Sequence, residues 1–307
     1  MKPFRFAVQL SKAPSAEGWR DLARSAEELG YSTLFIPDHF DDQFGPLVAL
    51  TVAAEATTTL RVGSLVFGND YRHPIVLAKE IATLAVMSGN RVEFGLGAGW
   101  MSSDYRSSGI TEDRPGVRVS RMEEALAIYK SLWTHGTATL DGEQYHITDA
   151  VSTPALDQCP PIIIGGGSPR VLGIAAREAD IVGVNPNLAA GYIGREVIES
   201  TQAEYFDERI QWIRDAAGDR FSDLELQILT FFVTITDDRQ AAIDGLAGMM
   251  GVTSEQVAET PVALIGSVDE IIATLQHRRE RFGFNYIVVH EAEMVAFAPV
   301  VAALSGR

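Results

Sequence analysis

Two stretches of the 307-residue chain hold residue types that can do chemistry. In the first, Asp38-His39 follows the run Ser32–Ile36, so an imidazole and a carboxylate stand together where a strand ends. A His titrates near neutral pH and can donate to, or exchange a proton with, a bound anionic ring. The same pair also reads as a helix start with a capping Asp. In the second stretch, Ile162-Ile163-Ile164 runs into Gly165-Gly166-Gly167-Ser168-Pro169-Arg170. Three β-branched residues make a buried strand, the glycines allow close backbone approach, and Ser168-Pro169 begins a helix through Glu178. Strand, glycine turn and helix N-terminus together form an anion pocket with exposed N–H groups and the positive end of a helix dipole. Arg170 is poorly placed for that dipole, which suits a residue kept for an anionic group. A tight βα turn without a ligand is the alternative.

Absent residue types narrow the chemistry further. No Lys stands at a strand end for Schiff-base work, and no Ser lies in a nucleophile elbow. The His residues form no set with carboxylates at metal-ligand spacing, so no metal site is expected. A bound redox cofactor would explain a large polar pocket with so little reactivity of its own. Of the other histidines, His73 before Pro74 reads as a helix entry and His290 as a strand end. His135, His146 and His277 read as surface positions. Trp100, in a glycine frame, is either a pocket wall or a plug.

The elements that must position these residues alternate regularly. Phe4–Gln9 and Ser32–Ile36 read as strands, with a helix between them capped by Ser15 and closed by Gly30. A helix at about Pro46–Ala56 leads to strand Leu60–Val66, and a helix through Ile75 and Ala85 leads to strand Arg91–Leu96, which runs into Gly97-Ala98-Gly99-Trp100. The stretch 101–117 reads as a long polar loop, followed by a helix Ser120–Trp133 and a surface hairpin Thr137–Ile147 turning at Asp141-Gly142. Strand five is the run before the glycine turn, and strand six is Ala179–Val184. Residues 185–224 read as an insertion with an amphipathic helix near Gln202–Ala216, a place for a lid or substrate pocket. Strand seven is expected over Glu225–Ile235, the last helix over Val268–Phe282 and strand eight over Asn285–His290. Eight βα repeats in one 1–307 domain predict an α/β (β/α)8 TIM barrel with an insertion after strand six. A doubly wound sheet is the alternative, and the lack of G-x-G-x-x-G after the first strand counts against it. In a barrel the active site lies at the C-terminal strand ends, which here offer Gln9, Asp38-His39, Ser64, Asn69, Gly97–Trp100, Gly165–Arg170, Asn185, Thr230 and His290-Glu291.

Composition sets the boundaries. A net charge of −16 opposes general binding to nucleic acid or anionic membranes, so an anionic small molecule must be held by local donors. No apolar run approaches the roughly 18 residues of a membrane span. The chain enters a strand directly without a signal peptide, and its lone Cys159 allows no internal disulfide, which together predict a cytoplasmic protein.

Taken together, Glu27-Glu28-Leu29-Gly30-Tyr31, Asp38-His39-Phe40, Arg72-His73-Pro74, Arg91–Trp100 and Pro161–Arg170 resemble the bacterial-luciferase-like superfamily of flavin and deazaflavin oxidoreductases. The resemblance is to its coenzyme F420-dependent branch and covers nearly the whole chain. It implies a barrel with the cofactor at the C-terminal mouth, its phosphate on Gly165–Gly167, Ser168 and Arg170, and its ring facing Asp38-His39. It implies a non-prolyl cis peptide at Ser64-Leu65, in a bulge where Ser64, Leu65 and Val66 back the ring, with Gly97 and Gly99 alongside. His39 would be the proton partner and Asp38 its catalytic neighbour, acting on a small-molecule substrate. Sugar-phosphate dehydrogenases of the family carry Glu where this chain has Trp100, and Trp where it has Gln43. Reduction of an unsaturated or imine substrate is therefore the expectation. The resemblance also implies a homodimer packed through helices near strands two and three. An FMN-dependent monooxygenase and a non-catalytic cofactor carrier are the alternatives.

Overall fold

The computed structural model describes residues 2–307. Eight strands form a closed parallel barrel: β1 (Arg5–Gln9), β2 (Thr33–Ile36), β3 (Arg61–Ser64), β4 (Val92–Gly97), β5 (Ile162–Gly166), β6 (Ile181–Val184), β7 (Glu225–Leu229) and β8 (Phe284–His290). Each pairs with its successor, and β8 closes on β1 with Arg5 opposite Tyr286 and Gln9 opposite His290. Outer helices follow: α1 (Ala16–Glu28), α2 (Pro46–Ala56), α3 (Pro74–Met87), α4 (Pro115–His135), α5 (Pro169–Glu178), α6 (Ala203–Ala217), α7 (Val268–Phe282) and α8 (Met294–Leu304). This is the expected TIM barrel, because parallel neighbours need a crossover and a right-handed one puts every helix outside.

Strand alternation divides the core in two. On β4, Val92, Phe94 and Leu96 pack into the large outer core against the helices. A smaller cluster of Ala7, Phe35, Ile163, Ile181, Tyr286 and Val288 fills the barrel interior. Below it the fully buried Glu93 accepts from Arg61 Nε at 3.0 Å and Tyr286 Oη at 2.8 Å, and pairs with Arg5. A buried carboxylate tolerates that position only because several donors surround it. The floor is thereby closed, and the mouth is left for chemistry.

Glu27, near the end of α1, ties that helix to the start of β3. Its carboxylate accepts the backbone N–H groups of Thr58, Thr59 and Leu60 at 2.9, 2.5 and 2.8 Å. Burial opposes its ionisation, but those amides win and hold its pKa at about 2.

Five local expectations change. Residues 101–117 are not a continuous loop: Ser102–Ser108 is helical, ends at Gly109 with φ 75°, and α4 already starts at Pro115. Strand seven does not run to Ile235. β7 stops at Leu229, and Phe232–Ile235 leaves the barrel to pair with Ala263–Gly266. That separate parallel pair, with helices Arg239–Met250 and Ser254–Glu259, makes an excursion between β7 and α7 with its own small apolar cluster. After β6, only 185–202 lies outside the barrel repeat, and it holds the short helix Arg195–Glu199, because Ala203–Ala217 returns as the barrel helix α6, packed beside α5. Val268–Phe282 is not the last helix, since α8 follows β8, and the fifth change concerns the bulge after β3, taken up with the site. Among the described residues, no helix is long and apolar enough to cross a membrane.

Candidate active site

The β3 strand end is shaped by its neighbour. Leu65-Val66 is a cis peptide, one bond later than the expected Ser64-Leu65, and it separates β3 from a two-residue strand at Phe67–Gly68. Ser64 Oγ and Leu65 N–H both donate to Ile36 O, at 2.9 and 3.1 Å, while Gln9 Nε2 donates to Leu65 O at 3.2 Å. The bulge leans onto β4, where a side chain at Gly95 would run into Ser64 O and one at Gly97 would meet Val66 at 2.6 Å. Glycine at these positions is a packing requirement of the bulge.

Next to the bulge, Asp38 is 5% exposed and its carboxylate is fully engaged. Arg72 clamps it with two bonds, Nη1 to Oδ2 at 2.6 Å and Nη2 to Oδ1 at 2.9 Å, and Gly68 N–H adds a third at 2.9 Å. Such a bidentate, charge-assisted pair fixes geometry. Asp38 therefore orients the loop that carries His39, and neither caps a helix nor points a free oxygen at the mouth.

His39 has a partner that the sequence did not reveal. Its Nδ1 lies 2.6 Å from Asp104 Oδ2, on the short helix Ser102–Ser108. Asp104 is 3% exposed and also accepts from Phe40 N–H at 3.3 Å and Tyr71 Oη at 3.1 Å. Burial, and then the Asp104 charge, push the Tyr71 phenol up, so it stays protonated and donates. Trp100 stands edge-on to His39 with ring centroids 5.8 Å apart, so it is a wall of the His39 pocket. Phe40, 47% exposed, packs tilted against Tyr71 with ring centroids 4.8 Å apart. A second carboxylate sits behind: Asp70 accepts from Tyr105 Oη at 3.0 Å and Arg121 Nη1 at 2.9 Å. Gly99, at φ 76°, lies under the Tyr105 hydroxyl.

The glycine turn takes its expected place between β5 and α5. Ser168 is the N-cap, accepting from Val171 N–H at 3.4 Å, and Pro169 is the first helical residue. None of Gly165, Gly166 and Gly167 has positive φ. Their requirement is close approach: a side chain at Gly167 would run into the backbone oxygen of Pro186, and one at Gly166 would meet Val171. That side of the turn is packed, while Gly165, Gly166 and Gly167 stay half-buried and Ser168 is exposed. Among the described residues, no carbonyl accepts from the N–H groups of Gly167 or Ser168. Two unspent amides at the positive end of a ten-residue helix are what a phosphate needs. Arg170 does not join them. It points to α4, bonding Gly116 O and Ser120 Oγ at 3.0 Å each and Glu123 at 2.5 Å. His290, at the end of β8, is half-buried, and burial lowers its pKa. His73 caps α3 through Ile75 N–H.

The mouth thus combines a glycine turn with two free amides, a bulged strand and an imidazole backed by a buried carboxylate. The profile of the luciferase-like monooxygenase family matches residues 1–283. The chain is 31% identical over 188 residues to an F420-dependent glucose-6-phosphate dehydrogenase of Kineococcus radiotolerans, covering 58% of this chain and 56% of that one. It is 32% identical over 187 residues to the Microbacterium testaceum protein of the same name, covering 58% and 55%. The chain spans about half the length of the curated relatives it matches. Among solved structures, an F420-dependent secondary alcohol dehydrogenase holding an F420-acetone adduct superposes with a TM-score of 0.79 at 17% identity, covering 99% of each chain. The F420-dependent tetrahydromethanopterin reductase of Methanopyrus kandleri gives 0.76 at 17%, covering 99% and 98%, and a monooxygenase of Streptomyces bottropensis 0.74 at 22%, covering 97% and 96%. At such identities these structures speak for the fold alone. With the profile covering nearly all of the sequence, the chain belongs to the luciferase-like monooxygenase family.

Proposed function

We propose that this protein is an F420-dependent oxidoreductase that reduces a small uncharged organic substrate. The observation that carries this reading is the meeting, at one barrel mouth, of the free Gly167 and Ser168 amides with a His39 held by Asp104. The residues present fit the cofactor. Gly165–Ser168 and the α5 N-terminus would hold its phosphate, and Ser64, Leu65 and Val66 would stand behind its ring, with Gly97 and Gly99 beside them. When bound, F420 supplies a ring carbon that carries a hydride.

Everything else falls to the chain's own side chains. Asp104, as acceptor, keeps a proton on His39 Nδ1 and leaves Nε2 to give or take one. Asp38 and Arg72 hold the loop, so His39 needs no reorganisation when it acts. Trp100, Phe40 and Tyr71 give the pocket aromatic walls. The arginines joined to this cluster, Arg72 with Asp38 and Arg121 with Asp70 and Asp113, are already neutralised. Arg118, over the Tyr105 ring, pairs with Glu112 at 3.5 Å, so among the described residues no cation of this cluster lacks a carboxylate, which favours an uncharged unsaturated or imine substrate.

Some broader proposals accompany this one. The chain acts as one domain in the cytoplasm, as a homodimer. Val48 on α2 and Val76, Val86 and Met87 on α3 are 76%, 52%, 54% and 57% exposed, an apolar face that a second copy would cover. Titration of tryptophan fluorescence with F420 and with FMN tests the cofactor. F420 should bind at least roughly tenfold tighter, about 1.4 kcal/mol. Tighter FMN binding would favour a flavin monooxygenase.

A further inference from the structure

The cation expected at the glycine turn stands elsewhere in the fold. Arg170 is committed to α4, whereas Arg209 on α6 reaches the turn from behind. Its Nε donates to Gly167 O at 3.3 Å and its Nη1 to Ser200 O at 3.0 Å. Arg209 is 3% exposed and its guanidinium lies over the Phe206 ring at 5.1 Å, yet among the described residues no carboxylate lies within ion-pair distance, and Nη2 has no protein acceptor. Burial lowers its pKa, with the charges of Glu208 and Tyr205 only partly opposing. A buried guanidinium without a counter-ion is costly, so its retention calls for an anion nearby. Arg278 is the useful contrast: it is also buried without a carboxylate, but it distributes its donors over three carbonyls, those of Thr260, Pro261 and Ala263.

Peptide geometry shows how Arg209 acts on the turn. The Gly167–Ser168 bond is trans, so Ser168 N–H points opposite to Gly167 C=O. With the guanidinium on the carbonyl side, that amide faces away from Arg209, towards the side the packing leaves open. We propose that Arg209 is a positioning residue for anion binding: it fixes and polarises the Gly167–Ser168 peptide and places a positive charge behind the turn without touching the ligand. Polarisation strengthens the N–H as a donor, and the low dielectric around the buried charge lets it act at that distance. The inference rests on the reading that this turn holds the phosphate of F420.

The test compares binding of F420 with binding of its phosphate-free riboside to the full chain, by calorimetry. Arg209→Met keeps the length and apolar stem, and Arg209→Lys keeps the charge. Arg209→Met should weaken F420 binding roughly 10- to 100-fold, the worth of a charge-assisted contact. It should leave the riboside unchanged, and Arg209→Lys should recover part of the loss. Equal weakening of both ligands, or no weakening of F420, would overturn the inference, since a merely structural clamp does not discriminate by phosphate. If Arg209→Met does not fold, Arg209→Lys decides by the same comparison, with a phosphate-selective loss of roughly threefold to tenfold expected. A wild type that holds F420 and riboside equally overturns the role of Arg209 while the cofactor reading stands. A wild type that binds no deazaflavin sinks the cofactor reading, and FMN against riboflavin then makes the same comparison for Arg209.

Discussion

Asp104 Oδ2 lies 2.6 Å from His39 Nδ1, and the Tyr71 hydroxyl donates to that same oxygen at 3.1 Å. The carboxylate is buried, and its partners among the described residues are His39, Tyr71 and the Phe40 amide. Asp104→Asn preserves shape but can present an N–H to Nδ1, which favours the wrong tautomer. Turnover should fall roughly 10²-fold or more, with F420 affinity within about twofold of wild type. Because the two residues act as a unit, adding His39→Ala should cost little more. Steady-state kinetics on the two single variants and the double variant check this. Additive losses would show that Asp104 is not acting through His39.

Arg72 and Asp38 hold the His39 loop from below. Removing Arg72 leaves a buried carboxylate with one backbone donor, Gly68 N–H. Arg72→Ala should therefore lower stability by about 3 kcal/mol, read by urea unfolding. Arg72→Lys should recover only part, since an ammonium cannot reproduce the bidentate fork.

At the glycine turn, two alanine substitutions should separate. Gly167→Ala runs into a backbone oxygen, which cannot rotate away, and should cost about 2 kcal/mol and weaken cofactor binding. Gly166→Ala meets the Val171 side chain, which can adjust, and should be milder on both counts. Parallel melting curves and titrations give the order. The reverse order would mean that the backbone of the turn gives way more easily than the Val171 side chain.

Acid stability should carry the mark of Glu27. Its folded pKa of about 2 lies below its ordinary 4.5, so its contribution is complete above 4.5 and is lost as the pH falls from there towards 2. Glu27→Gln should lower stability at pH 7 by about 1–3 kcal/mol and flatten the curve in that window. His290, whose pKa is lowered by burial, adds a further loss as the pH falls below its ordinary 6.5. Chemical denaturation from pH 7 down to 3 follows both.

The fold was legible because periodicity recurs eight times, and each strand run and helix stripe is locally consistent. Helix Val268–Phe282 could be read to the residue, as Ser267 and Gly283 cap its ends, and Pro46 marks the start of the helix expected at about Pro46–Ala56. The excursion after β7 was not legible, since Glu225–Ile235 reads as one β-rich run and nothing local says that it breaks at Thr230. Asp104 was missed for a related reason. Ser102–Ser108 is a short polar helix without an apolar stripe, and its link to His39 spans 65 residues, so only the barrel brings them together. Its one local signal was Gly109 as a C-cap, with Asp104 in the first turn. Arg170 was misplaced because position in a first turn does not say whether a long side chain faces the ligand or the neighbouring helix.

The central claim is that this mouth moves a hydride to or from F420. Its most direct test follows absorbance near 420 nm without oxygen, with reduced F420 and a panel of uncharged enones and cyclic imines. The band of oxidised F420 should reappear with at least one of them, in step with substrate reduction, and both signals should collapse in His39→Ala. No recovery with any of them, together with oxygen consumption when the protein holds reduced FMN, would contradict the account.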